Sequence, residues 1–185
     1  MNRRVFLGSA LLLPMAAGCR SLGWWRPGEN AVCHTDGNTK VKVVSRGVDR
    51  MAIAGGPVPI YIFDLSAEGC NCPLELIGLD FELRGLTNPH RRTWLLTEIL
   101  GSTIAEGKAG DGRIAAAFEQ PIVLQPGKLR SFQLSIDTQG LRPSQTVSTQ
   151  LIGPLEWRVV GQAELRQTHL QPGIPETTIT FGWEY

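Results

Sequence analysis

The sequence has no excess of charge of either sign, few histidines, no nucleophile signature and no apolar run long enough to cross a bilayer. Its 18 Lys and Arg nearly balance 17 Asp and Glu. Without a basic cluster it offers no electrostatic footprint to nucleic acid or to anionic lipid. A catalytic triad needs a nucleophile, a base and an orienting acid, yet no Gly-x-Ser-x-Gly occurs. The three histidines, His34, His90 and His169, read as surface residues, the last two in loop-like polar segments. The Gly-rich stretch from Gly107 to Gly112, with Lys108 and Arg113, lacks the Gly-Lys-Ser/Thr ending and following helix of a phosphate cradle. It reads as a hairpin loop. No strand-helix-strand alternation is present either, which argues against a nucleotide-binding α/β fold. No cofactor and no enzymatic activity are expected.

What is there begins at the amino end. Met1 to Gly18 has a basic head (Arg3, Arg4), an apolar run from Val5 to Leu13 and a small-residue exit at Ala16, Ala17 and Gly18. Roughly 20 apolar residues are needed to span a bilayer core, so the run reads as a secretory signal and not as a spanning helix. Ala16-Ala17-Gly18-Cys19 resembles the lipobox of bacterial lipoproteins, with Ala16 where Leu is commoner. The resemblance implies cleavage after Gly18 and lipid on the Cys19 thiol, with the membrane as partner through that lipid. Two or three acyl chains anchor stably, whereas one alone binds reversibly. Arg3-Arg4-Val5-Phe6-Leu7 also resembles the twin-arginine export motif, from which Asn2 and Gly8 depart. Arg20 stands where an Asp would signal inner-membrane retention. In a two-membrane organism the expected location is therefore the outer membrane, facing the periplasm. Loss of the signal removes two arginines and no acid, taking the formal charge from +1 to −1. What remains suits one domain, which at this size buries about 70% of its unfolded surface.

Residues 19–39 are Gly, Pro, Trp and small polar residues without period, and read as a lipidated tether. Trp24 and Trp25 would either settle at the membrane interface or pack on the domain. Residues 40–185 carry a period of two. Ile77, Leu79, Phe81 and Leu83 interleave with Gly78, Asp80, Glu82 and Arg84, as a half-buried strand requires. Phe132, Leu134 and Ile136 repeat the pattern, as do Leu155, Trp157 and Val159, and Ile179, Phe181 and Trp183. Val41 to Val48 and Ile60 to Leu65 are β-branched or aromatic runs, the second apolar on both faces and so a central strand. Leu95 to Ile104 and Ile114 to Leu124 supply two more, interrupted by Gly101 and Pro121. Turn residues fall between the runs at Gly55-Gly56-Pro57, Gln125-Pro126-Gly127 and Gln171-Pro172-Gly173. A short helix is expected only within Arg142 to Leu151. The fold class predicted is all-β: one immunoglobulin-like antiparallel β-sandwich of about seven to eight strands.

Taken in order, the strands resemble the late embryogenesis abundant domain of the water-stress and hypersensitive-response type, a small β-sandwich of plants and bacterial lipoproteins. Tyr61 to Ala67 match its core strand, Cys70-Asn71-Cys72-Pro73-Leu74 its Asn-Pro-Asn-like turn, and Leu76 to Arg84 the alternating strand that follows. Ile104 to Gly107, the strand through Pro121 to Leu124, and Glu156 to Gly161 stand in the places of its later segments. Cys-Asn-Cys replaces the usual turn, and Leu86 to Thr93 look like an insertion. The resemblance implies a protective or binding module without catalysis, with an unidentified protein or envelope partner. A structural subunit of an envelope or secretion assembly is a further reading.

With Cys19 lipidated, Cys33, Cys70 and Cys72 remain. In an oxidising compartment two of the three should pair, most simply Cys33 with Cys70 or Cys72. The alternatives are a strained, redox-labile Cys70–Cys72 bond, or a metal site of Cys33, His34, Cys70 and Cys72, since thiolates and imidazole suit tetrahedral zinc. Asp80 and Glu82 share the wet face of one strand and read as a solvated surface. Trp94, Trp157 and Trp183 read as core aromatics sooner than as the lining of a ligand groove.

Overall fold

A computed structural model describes residues 33–48, 51–99, 101–170 and 174–182. The signal stretch, Cys19, Trp24, Trp25 and Trp183 lie outside the described residues. The described chain forms strands β1 (Thr35–Arg46), β2 (Met51–Ile53), β3 (Pro57–Cys70), β4 (Leu74–Arg84), β5 (Thr93–Glu98), β6 (Thr103–Lys108), β7 (Arg113–Leu124), β8 (Arg130–Asp137), β9 (Thr146–Ile152), β10 (Leu155–Val159), β11 (Arg166–Thr168) and β12 (Thr177–Gly182). One 3-10 turn, Pro89–Arg91, precedes β5.

Two sheets face each other. The first has the order β1-β3-β8-β5-β6, and the second runs β11-β10-β4-β9-β12-β2 with β7 also on β4. β7 lies along one edge of β4 from Leu74 to Glu82. The opposite edge is shared, β10 taking Leu74 to Leu76 and β9 taking Asp80 to Arg84. Between β9 and β10 the Gly153-Pro154 peptide bond is cis. All pairings between these strands are antiparallel except that of β12 with β2.

The period of two builds this sandwich directly. In β8, Phe132, Leu134 and Ile136 are buried, and in β10 Leu155, Trp157 and Val159. β3 lies between β1 and β8 and buries residues on both faces, Tyr61, Phe63 and Leu65 inward and Asp64 and Ser66 on the other side. Side chains from the two sheets meet at a cluster of rings. Phe63 lies 5.8 Å from both Tyr61 and Phe81 and 5.6 Å from Phe132, centroid to centroid. Each such side chain contributes roughly 1.5–3 kcal/mol by leaving water.

The predicted all-β sandwich is the observed architecture, and four strands separate the expected count from the observed one. β2 and β11 have three residues each, too few to show a period. The expected strand from Leu95 to Ile104 is two strands, because the chain reverses at Gly101, whose N–H donates to the Glu98 carbonyl at 2.9 Å. The fourth is β9, where a short helix was expected. Ser144 has φ 66°, which no α-helix tolerates, and Val147, Thr149 and Leu151 alternate inward, the period of a strand.

Two further expectations change in detail. In β4 the buried set is Leu74, Leu76, Leu79, Phe81 and Leu83, with Ile77 only half-buried. The pairing with β7 slips between Leu76 and Gly78, and such a bulge reverses which face each residue occupies. β7 continues through Pro121 at this same irregularity, where no ladder bond is required of it. The stretch from Gly107 to Gly112 is not a hairpin loop: it carries the chain from β6 in the first sheet to β7 in the second. The Leu83 N–H donates to the Gly112 carbonyl at 2.9 Å and the Ala109 N–H to that of Arg92 at 3.0 Å.

Candidate functional site

The turn between β3 and β4 brings the cysteines together. Cys33 and Cys72 form a disulfide with Cα atoms 5.6 Å apart, closing a separation of 39 residues. Next to it, the His34 N–H donates to Asn71 Oδ1 at 2.8 Å, so the chain entering β1 is held to the turn at two points. The Cys70 thiol donates to the Cys72 carbonyl at 3.2 Å. Gly69 (φ 69°) makes the approach possible, since a Cβ there would lie 2.6 Å from the Asn38 carbonyl oxygen. The bridge takes up two of the three thiols that a Cys33, His34, Cys70 and Cys72 metal site would require. Among the described residues, no group of three or more His, Cys, Asp or Glu side chains is placed to hold a metal ion.

The larger feature is an open seam along β1. On one side β1 pairs with β3; its other edge faces Thr168 to Leu170, Ile174 and Pro175 across a groove of about 380 Å³. A second groove, of about 540 Å³, continues past Ser45 and Pro175 along Thr177, Thr178 and Thr180 of β12. Val41, Val43 and Ser45 line the first groove, and the Val41 N–H points into the seam, donating to Thr168 Oγ1 at 3.3 Å. Beneath the seam, the buried Tyr61 donates its hydroxyl to the Pro175 carbonyl at 3.3 Å. Burial pushes the Tyr61 phenol above its ordinary pKa, against a smaller opposing effect of hydrogen bonding with Ser45 and Leu151. Lys40, Lys42 and Arg46 are exposed along the same strand. Lys42 pairs with Glu68 at 2.8 Å and Arg46 with Asp64 at 2.7 Å.

The other residues singled out from the sequence stand apart from both features or at their rims. His34, His90 and His169 are all exposed, His169 at the edge of the seam. Asp80 accepts from Arg113 at 2.5 Å and Glu82 from Arg84 at 3.1 Å, as cross-strand and same-face pairs on a wetted sheet. Trp94 and Trp157 are buried, their indole N–H groups donating to the Lys108 carbonyl at 3.1 Å and to Thr168 Oγ1 at 2.8 Å. Sequence reasoning missed the seam, although lysines alternating with valines over Lys40 to Val43 are a known mark of an edge strand. It also missed Asp64, a buried carboxylate held by Arg46 and by Ser131 Oγ at 2.6 Å. Nothing in the spacing of those three residues foretells that they meet.

No protein-family model matches the chain and no curated protein matches it. Among solved structures, the chain is similar to one described as "AvmM Catalyzes Macrocyclization in Alchivemycin A Biosynthesis", at 9% identity and a TM-score of 0.41, covering 82% of this chain and 92% of that one. It is also similar to a Salmonella SafD adhesin, at 13% identity and a TM-score of 0.29, covering 78% of this chain and 98% of the adhesin.

Proposed function

We propose that this chain is a lipid-anchored β-sandwich of the bacterial envelope that binds a protein or envelope partner and does no chemistry of its own. The observation that carries the reading is the Cys33–Cys72 bridge. Structural disulfides persist where the surroundings are oxidising and are rare in cytosolic proteins, and the bridge begins 14 positions after the lipobox-like Cys19. Export and a lasting disulfide are thus supported by two separate parts of the sequence. The sandwich itself supports binding over catalysis: its core cluster is built from apolar rings and aliphatics, its buried carboxylate Asp64 is taken up by Arg46 and Ser131, and its exposed histidines stand on different segments. The resemblance to the water-stress type of domain supports a protective role in the same place.

The test is the state of the amino terminus. The chain is expressed in a bacterium fed radiolabelled palmitate, and the purified protein is weighed intact. A mass lacking residues 1–18 and carrying two or three acyl chains is expected, with label lost in Cys19→Ser. An unmodified Met1, or a soluble unlabelled product cut elsewhere, overturns the anchorage. Fractionation of the envelope then places the protein, the outer membrane being the location that Arg20 supports.

A further inference from the structure

We infer that the free edge of β1 accepts an extended segment of a partner chain as an added strand, acidic on one face and apolar on the other; this rests on the binding role proposed above and names its site. In an antiparallel pair, alternate residues turn their N–H and C=O groups toward the neighbour and away from it. The Val41 N–H points away from β3, to Thr168, so Val43 and Ser45, two and four residues on, direct theirs the same way. Among the described residues neither backbone N–H is claimed by another strand, and both residues line the groove. From Val41 to Arg46 the edge is about 17 Å long at roughly 3.3 Å per residue, enough for a strand of typical length. An unpaired edge of this kind is a ready template for strand addition, in which main-chain bonds supply affinity and alternate side chains supply specificity.

The surroundings define the occupant. Toward the sandwich interior, an added strand would meet Val43, Leu170, Ile174 and Pro175, so its inward residues must be apolar. Toward solvent it would meet Lys40, Lys42, Val44 and Arg46, which fall at alternate positions of β1 and carry a cation at three of the four. Among the described residues Lys40 makes no ion pair, while Lys42 and Arg46 each have one. Glutamate or aspartate at the outward positions satisfies this row. A second copy of β1 is the wrong partner, because it would set two rows of cations side by side, and like charges directly opposite destabilise a sheet.

The probe is an end-capped octapeptide, Thr-Val-Glu-Val-Glu-Val-Glu-Thr, added to the full chain in detergent micelles, with amide hydrogen exchange followed at Val43 and Ser45. At saturation, exchange at both amides should slow at least tenfold, and a peptide with Lys in place of Glu should leave them unchanged. Val43→Pro removes an outward N–H without touching the ladder to β3, and should abolish binding while thermal unfolding stays cooperative. Should that variant unfold, Lys40→Glu with Lys42→Glu serves instead, and should reverse the preference between the two peptides. The inference is overturned if neither peptide protects these amides, if both protect equally, if the amides are already protected without peptide because the chain's own tether fills the seam, or if protection rises with protein concentration as in a self-paired dimer. Failure here with acyl chains present on Cys19 would leave the anchored module standing with another binding face. Protection without acylation would leave the strand site standing and remove the anchor.

Discussion

Replacing Cys33 by Ala removes the bridge between the start of β1 and the β3–β4 turn, and its cost can be worked from the loop it closes. A separation of 39 residues corresponds in the chain-entropy treatment to about 13 cal/mol/K, or roughly 3.9 kcal/mol at 25 °C. The His34–Asn71 bond beside it survives the change, so little else is lost. In a domain of this size 1 kcal/mol shifts Tm by about 2–4 °C, and a fall of about 8–16 °C is expected. The assay is guanidinium unfolding of the oxidised protein, the variant and the reduced protein, with Cys70→Ala as the control that should stay within about 1 kcal/mol of the parent. Cys33 is the informative partner to remove. In Cys72→Ala the Cys33 thiol could re-pair with Cys70, two residues away, and close almost the same loop. If Cys33→Ala and reduction each shift stability by less than about 1 kcal/mol, the bridge does not restrain the unfolded chain as argued, and the support it lends to an oxidising compartment goes with it.

Phe81 is fully buried between Tyr61 and Phe63, so Phe81→Ala should cost about 3–5 kcal/mol in the same unfolding assay. Glu98 is held below its ordinary pKa by hydrogen bonds from Arg130, at 2.8 and 2.7 Å, with the Arg130 charge adding to the effect against a smaller opposing burial. A depressed folded pKa gives stability that is present above the unfolded carboxylate pKa and lost as pH falls through the folded one. Glu98→Gln should therefore flatten the acid limb of a stability-against-pH curve below about pH 4.5, and an unchanged limb would refute the pairing. Tyr61 has the opposite shift, raised by burial, so its contribution is complete below the unfolded phenol pKa near 10 and is lost as pH rises through the folded value. Tyr61→Phe should soften the alkaline loss of stability, measured by thermal unfolding between about pH 9 and 11.

The sandwich was legible because burial in a two-layer β fold is written at alternate positions, and it became illegible wherever a backbone irregularity interrupts the count. Phe132, Leu134 and Ile136 could be assigned to one face from spacing alone, and they share it. The same spacing places Ile77 with Leu79, Phe81 and Leu83, but the bulge between Leu76 and Gly78 takes it out of that buried set, and a one-residue slip leaves no trace in hydrophobicity. Arg142 to Leu151 shows the limit from another direction. Helix and strand compete over so short a run, and the outcome is decided by a partner distant in sequence: the Ser144 N–H donates to Phe181 and the Phe181 N–H to Gln145, at 2.7 and 2.9 Å.

The same division governs the candidate sites. Three cysteines in a chain read as exported require a pair, and the proximity of Cys70 to Cys72 makes either an equal candidate for Cys33 until the turn is seen to present Cys72. The seam could not be counted out at all, because an unpaired edge is a property of which strands lie beside one another and not of any one of them. What the sequence did hold was its chemistry: valines at Val41 and Val43 facing inward and cations at Lys40, Lys42 and Arg46 facing water. An edge strand so charged resists pairing with itself while keeping its backbone groups open. Resistance to self-pairing and the proposed selectivity for an acidic strand are then consequences of the same three side chains, and reversing their sign should reverse the selectivity.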